Sequence, residues 1–233
     1  MLVRGVPTGP VPPTPLQNTL GLGAGTVLAE RMRDLVPGTL VAYKEEANGV
    51  LFQDVVPIPA LDTAQTSTGS RVPLEIHTEQ AFSEARPDFL ALGCLRGDPG
   101  ATTYTLGLET LVRHLSPEDL EMLQRPLWTI GVDLSFRMNG WPGDRVGPVA
   151  ILRDGGRRLV FDQDLMEGLT PEAHGLIGRI VDIYEAHRTG HVLEPGDVLI
   201  IDNRTTVHGR SAFEPRFDGT DRFLVRCFSK YTV

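Results

Sequence analysis

The sequence has few cysteines and no long apolar stretch. Its two cysteines, Cys94 and Cys227, both have apolar neighbours, which predicts buried free thiols of a reducing cytoplasm rather than a disulfide framework. No uninterrupted apolar run approaches the ~20 residues of a membrane span. The opening residues, MLVRGVPTGPVPP, contain no apolar segment of signal-peptide length. These absences predict a cytoplasmic protein that does not enter a membrane.

Clustered basic residues are also missing. The net charge is −8 and no run of five or more basic residues occurs, which argues against binding to nucleic acid or to an anionic membrane surface. There is no glycine-rich phosphate loop and no alternation of strands with helices, so a nucleotide-binding α/β fold is not expected. With 233 residues, 41% of them hydrophobic, the chain suits one folded domain over 1–233.

Short β-type runs, separated by glycine, proline, asparagine and serine, dominate the chain. They predict strands within 39–43, 50–57, 72–77, 89–95, 127–135, 147–154, 157–162, 194–203 and 222–233. Gly155-Gly156 is expected to join two of these strands as a hairpin. Apolar residues at helical spacing predict a helix over 25–36, and Ser116 and Thr170, each followed by proline, are predicted N-caps of two more. This pattern favours a mainly β fold, a jelly roll or barrel with flanking helices.

The stretch PLEIHTEQAF places His77 and Glu79 two residues apart at the end of a strand-like run. Side chains at i and i+2 of a strand share a face, so the pair either aims at one spot or forms an exposed polar face. His208, in LIIDNRTTVHGRSAF, also follows an apolar strand. Two histidines and one carboxylate form the facial triad of non-haem Fe(II) sites, which leaves coordination positions open.

The other four histidines, and the arginines Arg222 and Arg226, need separate interpretations. His114, His174, His187 and His191 lie in or beside predicted helices and are expected to be solvated or capping residues. Arg222 and Arg226 would lie on a strand that returns beside His208. A guanidinium there could bind a carboxylate in a bidentate pair, as a 2-oxo acid co-substrate beside iron would require. The alternative for Arg222 is an ordinary surface arginine.

Three sequence segments resemble those of a known protein family. VPLEIHTEQAFSEARPDFLALGCLR, FDQDLMEG and VHGRSAFEPRFDGTDRFLVR resemble the clavaminate-synthase-like group of Fe(II)/2-oxoglutarate dioxygenases, within the TauD/TfdA-type superfamily. Within that group the chain resembles the amino-acid hydroxylases of peptide-antibiotic biosynthesis. The resemblance implies a cupin-like double-stranded β-helix, with iron at His77, Glu79 and His208 and 2-oxoglutarate at Arg222. The segment GATT resembles the one whose threonine contacts the co-substrate, which suggests Thr103.

The resemblance begins at about residue 2. Family members usually carry a mostly helical segment of several tens of residues before this point, and that extension is expected to be absent here. The surface that those helices would cover is therefore expected to be buried in another way, and a homodimer is one solution.

The substrate pocket is predicted from acidic residues. Asp162 and Asp164, in FDQD, follow a β run and either enter a turn or face the pocket, where carboxylates would suit a cationic or amide side chain. By resemblance, Asp162 contacts the substrate side chain, Glu46 holds its amino group and Arg226 meets its α-carboxylate. Weaker candidates, more readily explained as structural residues, are Gln53 and the Ser67-Thr68 pair.

The predicted function is hydroxylation of an unactivated carbon of an L-amino acid, with arginine or a derivative as the first expectation, using Fe(II), 2-oxoglutarate and O₂ in natural-product biosynthesis. Alternatives in the same class are desaturation, cyclisation, or action on an amino acid tethered to a carrier protein. Glu79 argues against halogenation, because in that reaction chloride needs the coordination position that the Glu79 carboxylate would occupy. Alternatives of other classes are a non-catalytic metal-binding jelly roll and a zinc hydrolase.

Overall fold

The computed structural model describes residues 1–17, 19 and 21–231, and within them it is mainly β. The strands are β1 (Leu2–Val3), β2 (Thr39–Val41), β3 (Gln53–Val55), β4 (Leu74–His77), β5 (Phe89–Arg96), β6 (Thr102–Gly107), β7 (Trp128–Gly131), β8 (Arg145–Val149), β9 (Leu152–Arg153), β10 (Arg158–Leu159), β11 (Met166–Gly168), β12 (Thr189–Val192), β13 (Val198–Asp202), β14 (Thr206–Arg210) and β15 (Phe223–Lys230). The helices are α1 (Val27–Leu35), α2 (Leu108–Arg113), α3 (Pro117–Leu123), α4 (Leu134–Met138) and α5 (Pro171–His187). No helix among these residues is long and apolar enough to cross a membrane.

The larger sheet has the order β1-β13-β5-β15-β2, with β3 also paired to β15, and all of its pairings are antiparallel. Its central strand β5 is almost continuously apolar because both faces are buried. Phe89 and Ala91 pack in the cluster that contains α1, whereas Leu90 and Leu92 face the cavity on the other side. At Gly93 a Cβ atom would lie 2.5 Å from Met32 Sδ, so any larger residue would require the side chains of α1 to shift.

The smaller sheet has the order β12-β6-β14-β4. Its antiparallel registers set His208 of β14 directly opposite His77 of β4, and Arg210 of β14 opposite Thr103 of β6. Residues opposite each other on antiparallel strands present their side chains on the same face. The registers therefore bring two predicted iron ligands together and place a threonine predicted for the co-substrate nearby.

Helices α3 and α5 begin where local capping predicts. The Ser116 hydroxyl accepts a hydrogen bond from the Asp119 N–H at 3.1 Å, and Asp119 accepts one from the Ser116 N–H, which completes a capping box. The Thr170 hydroxyl accepts a hydrogen bond from the Ala173 N–H at 3.2 Å. The apolar face of α5 then packs in the core cluster that contains Trp128.

Most predicted strands are present but too long at their ends, and β6, β11, β12 and β14 were not predicted. The expectation that the strand of Arg226 lies beside the His208 strand is wrong, because β15 pairs with β5 in the larger sheet. The hairpin at Gly155-Gly156 forms as β9 and β10, although over only two residue pairs, and Cys94 and Cys227 are buried free thiols. The strand predicted over 127–135 is wrong at its end, because β7 stops at Gly131 and α4 follows. The last strand ends at Lys230, and the part of that prediction on 232–233 lies outside the described residues. The predicted mainly β jelly-roll class is confirmed.

Candidate active site

A cavity of about 660 Å³ lies between the two sheets, and His77, Glu79 and His208 all line it. Glu79 Oε1 is 3.3 Å from His208 Nε2 and 3.9 Å from His77 Nε2. One potential ligand atom from each of the three residues lies within 4.8 Å of the others. The arrangement predicted from spacing therefore forms, although Glu79 itself lies beyond the end of β4.

The hydrogen bonding and charge of these groups suit metal ligation. The His77 Nδ1–H donates to the Glu75 carbonyl at 2.8 Å, which leaves the lone pair of Nε2 free on the side facing Glu79. Burial lowers the pKa of His208, which favours the neutral imidazole that a metal requires. Burial alone would raise the pKa of Glu79, but Arg226 and His208 outweigh it and lower the pKa to about 2. Two imidazoles and one carboxylate fit an Fe(II) ion that keeps open positions.

Arg222 provides a buried cation in the same cavity. It immediately precedes β15, and Arg222, Leu224 and Arg226 line the cavity because alternate residues of a strand share a face. Arg222 Nη2 donates to Thr103 Oγ1 at 3.2 Å, which brings together the two residues predicted for the co-substrate. Burial lowers the pKa of Arg222 to about 10. Within the described residues no carboxylate pairs with it, so the site suits an anionic ligand.

Arg226 lies between the metal site and Glu46. Its Nη2 donates to Glu46 Oε1, its Nε donates to Gln53 Oε1 at 3.1 Å, and its Nη1 lies 3.7 Å from Glu79 Oε1. Glu46 also accepts a hydrogen bond from Gln80 Nε2 at 2.9 Å. The two residues predicted to bind opposite charges of an amino-acid head group therefore form an ion pair with each other. The weaker candidate Gln53 contacts the same arginine, and Ser67 and Thr68 also line the cavity.

Asp162 and Asp164 both line the cavity, but they differ in environment. Asp162 is half-buried and its Oδ1 accepts a hydrogen bond from the Leu165 N–H at 2.8 Å, so the turn interpretation also applies to it. Burial raises the pKa of Asp162 to about 6, against the opposing effect of His77. Asp164 is exposed. Neither carboxylate has an ion-pair partner among the described residues, which leaves both available to a cationic ligand.

Sequence reasoning missed several charged residues of this cavity, and two of them, Asp133 and Arg210, have strongly shifted pKa values. Asp133 follows β7, and burial together with the Asp162 carboxylate raises its pKa to about 7. Asp133 was overlooked because a strand was predicted over 127–135. It is the only residue with a carboxylate in that range. Arg210 is a buried guanidinium whose pKa is lowered to about 9 by burial and by Arg222. Its spacing of two from His208 on a strand was a usable signal, because it places both side chains on one face.

The fold and the match to known sequences define the class of the protein. Residues 26–228 match the family described as "Taurine catabolism dioxygenase TauD, TfdA family", so the chain belongs to that family. The family resemblance inferred from the three sequence blocks is confirmed.

Among curated proteins, the chain is 46% identical over 237 residues to the L-lysine 3-hydroxylase of Catenulispora acidiphila, which covers 98% of this chain and 66% of that protein. Among solved structures, it resembles asparagine oxygenase in complex with Fe(II), (2S,3S)-3-hydroxyasparagine and succinate. The TM-score is 0.87 and the identity 35%, over 99% of this chain and 73% of that one. It also resembles the non-haem iron oxygenase OrfP in complex with Fe and α-ketoglutaric acid, with a TM-score of 0.83 and 28% identity over 99% and 74% of the two chains. The predicted cofactors agree with the groups bound in these structures.

Proposed function

We propose that the protein hydroxylates a carbon of a free L-amino acid with a cationic side chain, in a reaction that depends on Fe(II), 2-oxoglutarate and O₂. The observation that carries this proposal is the position of the His77–Glu79–His208 cluster between two oppositely charged parts of one cavity. Arg222 with Thr103 lies in one part, and Asp133 with Asp162 lies in the other.

The three ligands would hold Fe(II), which when bound supplies the oxidising chemistry with O₂ and the co-substrate. Thr103 and Arg222 would bind the far carboxylate of 2-oxoglutarate, since a buried guanidinium without a carboxylate partner gains a charge-assisted pair there. Placement of both substrates beside one ion is the contribution of these residues to the reaction.

The ion pair between Arg226 and Glu46 would be exchanged when the amino acid binds. The substrate α-carboxylate would replace Glu46 on the guanidinium, and its ammonium group would replace the guanidinium on Glu46. Both charges of the zwitterion are needed for this exchange, because loss of either would leave one buried protein charge unpaired. A carrier-tethered aminoacyl group has no α-carboxylate and would leave Arg226 without its partner.

The side-chain part of the pocket favours a cation. Burial and the nearby Asp162 carboxylate raise the cost of ionising Asp133, and a positively charged side chain would relieve that cost. Lysine and arginine both satisfy this requirement. Lysine becomes the first compound to test because of the 46% identity to an L-lysine 3-hydroxylase, and arginine, the first expectation from the sequence, comes second.

The test is a panel of lysine, arginine, ornithine, citrulline, asparagine and leucine, assayed for succinate release and for a product heavier by one oxygen atom. We expect activity on a cationic member, and loss of it for the matching α-carboxamide and for an N-acetylcysteamine thioester. Activity confined to leucine would contradict the substrate class. A product two hydrogens lighter would favour desaturation or cyclisation, and Zn²⁺-dependent hydrolysis without O₂ would favour the hydrolase.

A further inference from the structure

Glu79 lies outside the sheet that positions the two histidines. Strand β4 ends at His77, and the residue after Glu79, Gln80, has a φ of 50°. This left-handed conformation is uncommon for a residue other than glycine, and it turns the chain away from the sheet directly after the predicted ligand. No strand in the described part of the chain is paired with Glu79, so its peptide needs another support.

The side chain of Asn203 provides that support. Asn203 Oδ1 accepts a hydrogen bond from the Glu79 N–H at 2.7 Å, and Asn203 Nδ2 donates to the Glu79 carbonyl at 3.2 Å. Asn203 thus accepts a hydrogen bond from the N–H of Glu79 and donates one to its C=O. The opposite residue does the same in a hydrogen-bonded pair between antiparallel strands. The carboxamide of Asn203 takes the place of a neighbouring strand for this single residue.

Asn203 is itself rigidly held. It is 0% exposed, its Nδ2 also donates to the Pro87 carbonyl at 2.8 Å, and its own N–H donates to the Asp88 carbonyl at 2.8 Å. It lies in the turn between β13 and β14, five residues before His208. The same turn therefore leads into the strand of one predicted ligand and holds the peptide of another.

We infer that Asn203 is a positioning residue that holds the Glu79 carboxylate in place beside His208, and this inference rests on the proposed iron site. The carboxamide is suited to the task because one end accepts and the other donates. Aspartate has the same shape but cannot donate when ionised, and it would add a second negative charge close to Glu79. Outer residues that orient metal ligands typically contribute 10- to 100-fold to metal affinity.

The experiment is anaerobic titration calorimetry of Co(II) and Fe(II) into the wild type, Asn203→Ala and Asn203→Asp. Leu111→Ala is the matched control, because Leu111 is also 0% exposed but lies in a helix outside the cavity. Circular dichroism and thermal unfolding report how far each variant is folded and destabilised. We expect the metal Kd to rise roughly 10- to 100-fold in both Asn203 variants and to stay within about twofold in the control.

A wild-type Kd in either folded Asn203 variant would overturn the inference, and so would an equal loss of affinity in Leu111→Ala. If Asn203→Ala does not fold, the metal Kd of Asn203→Asp tests the inference. Failure of both to fold would assign Asn203 to the folding core and would also overturn the positioning role. A wild type that binds neither metal would instead contradict the proposed function.

Discussion

At the scale of single residues, the cavity separates charged groups of opposite sign that are buried or half-buried. Arg222 and Arg210 lie on one side without carboxylate partners among the described residues, and Asp133 and Asp162 lie on another without cationic ones. Buried charges without partners are costly in a ligand-free protein. Their arrangement is explained if ligands supply the missing charges, an anion at Arg222 and a cation at the aspartates.

Replacing Arg222 tests the anionic end. Arg222→Gln is expected to raise the Kd for 2-oxoglutarate by about 10- to 150-fold, because a lost hydrogen bond to a charged group costs about 1.5–3 kcal/mol. Calorimetry with the metal-loaded protein under nitrogen measures this value without turnover. The control is Arg188→Gln, since Arg188 pairs with Glu185 and lies over the Tyr104 ring instead of lining the cavity. An unchanged Kd in Arg222→Gln would move the co-substrate clamp to another residue.

The raised pKa of Asp133 predicts a pH dependence for substrate binding. Burial and Asp162 raise this pKa to about 7, so the carboxyl is ionised above pH 7 and neutral below it. A cationic side chain is attracted only by the ionised form, and the KM for the amino acid should therefore rise as the pH falls from about 8 to about 6. Asp133→Asn should raise this KM at the upper end of that range and flatten the profile.

The control for this profile is the Michaelis constant for the co-substrate in the same variant. It should follow the wild-type pH dependence, because Asp133 is not predicted to contact 2-oxoglutarate. An amino-acid KM that is independent of pH in the wild type would argue against a role for Asp133 in binding a cation.

At the scale of elements, the starts of helices could be predicted from local sequence signals, whereas the pairing of distant strands could not. Helices α3 and α5 were predictable at their first residues because a cap and a proline mark each start. Strand pairing was not predictable, because it depends on contacts such as that between His77 and His208, 131 positions apart in the chain. Asn203 was missed for the same reason, since nothing in its neighbourhood indicates Glu79 as its partner.

The cap of α5 gives a prediction at this scale. Thr170→Ala should lower the free energy of unfolding by about 1 kcal/mol, because the Ala173 N–H loses its acceptor. Thr170→Ser keeps the hydroxyl and should remain close to wild type in urea unfolding. Neither variant should change the Kd for metal, since Thr170 does not line the cavity. A stability loss equal in both variants would contradict the capping role.

At the scale of the whole molecule, one family-wide architecture explains most of what the sequence predicted. The jelly roll brings β4, β6, β14 and the start of β15 around one cavity, so residues spread over more than half of the chain become neighbours. The resemblance supplied Glu46 and Thr103, which spacing alone did not indicate. The single domain, the homodimer and the cytoplasmic location remain predictions.

The most direct test of the account is a visible absorption titration of 2-oxoglutarate into the Fe(II)-loaded protein without oxygen. A co-substrate chelated to iron is expected to give a weak charge-transfer band that saturates with 2-oxoglutarate, and this band should be lost in His77→Ala and His208→Ala. A wild type that binds Fe(II) but shows no such band would contradict the central claim, because the metal site would then be separate from any 2-oxo acid chemistry.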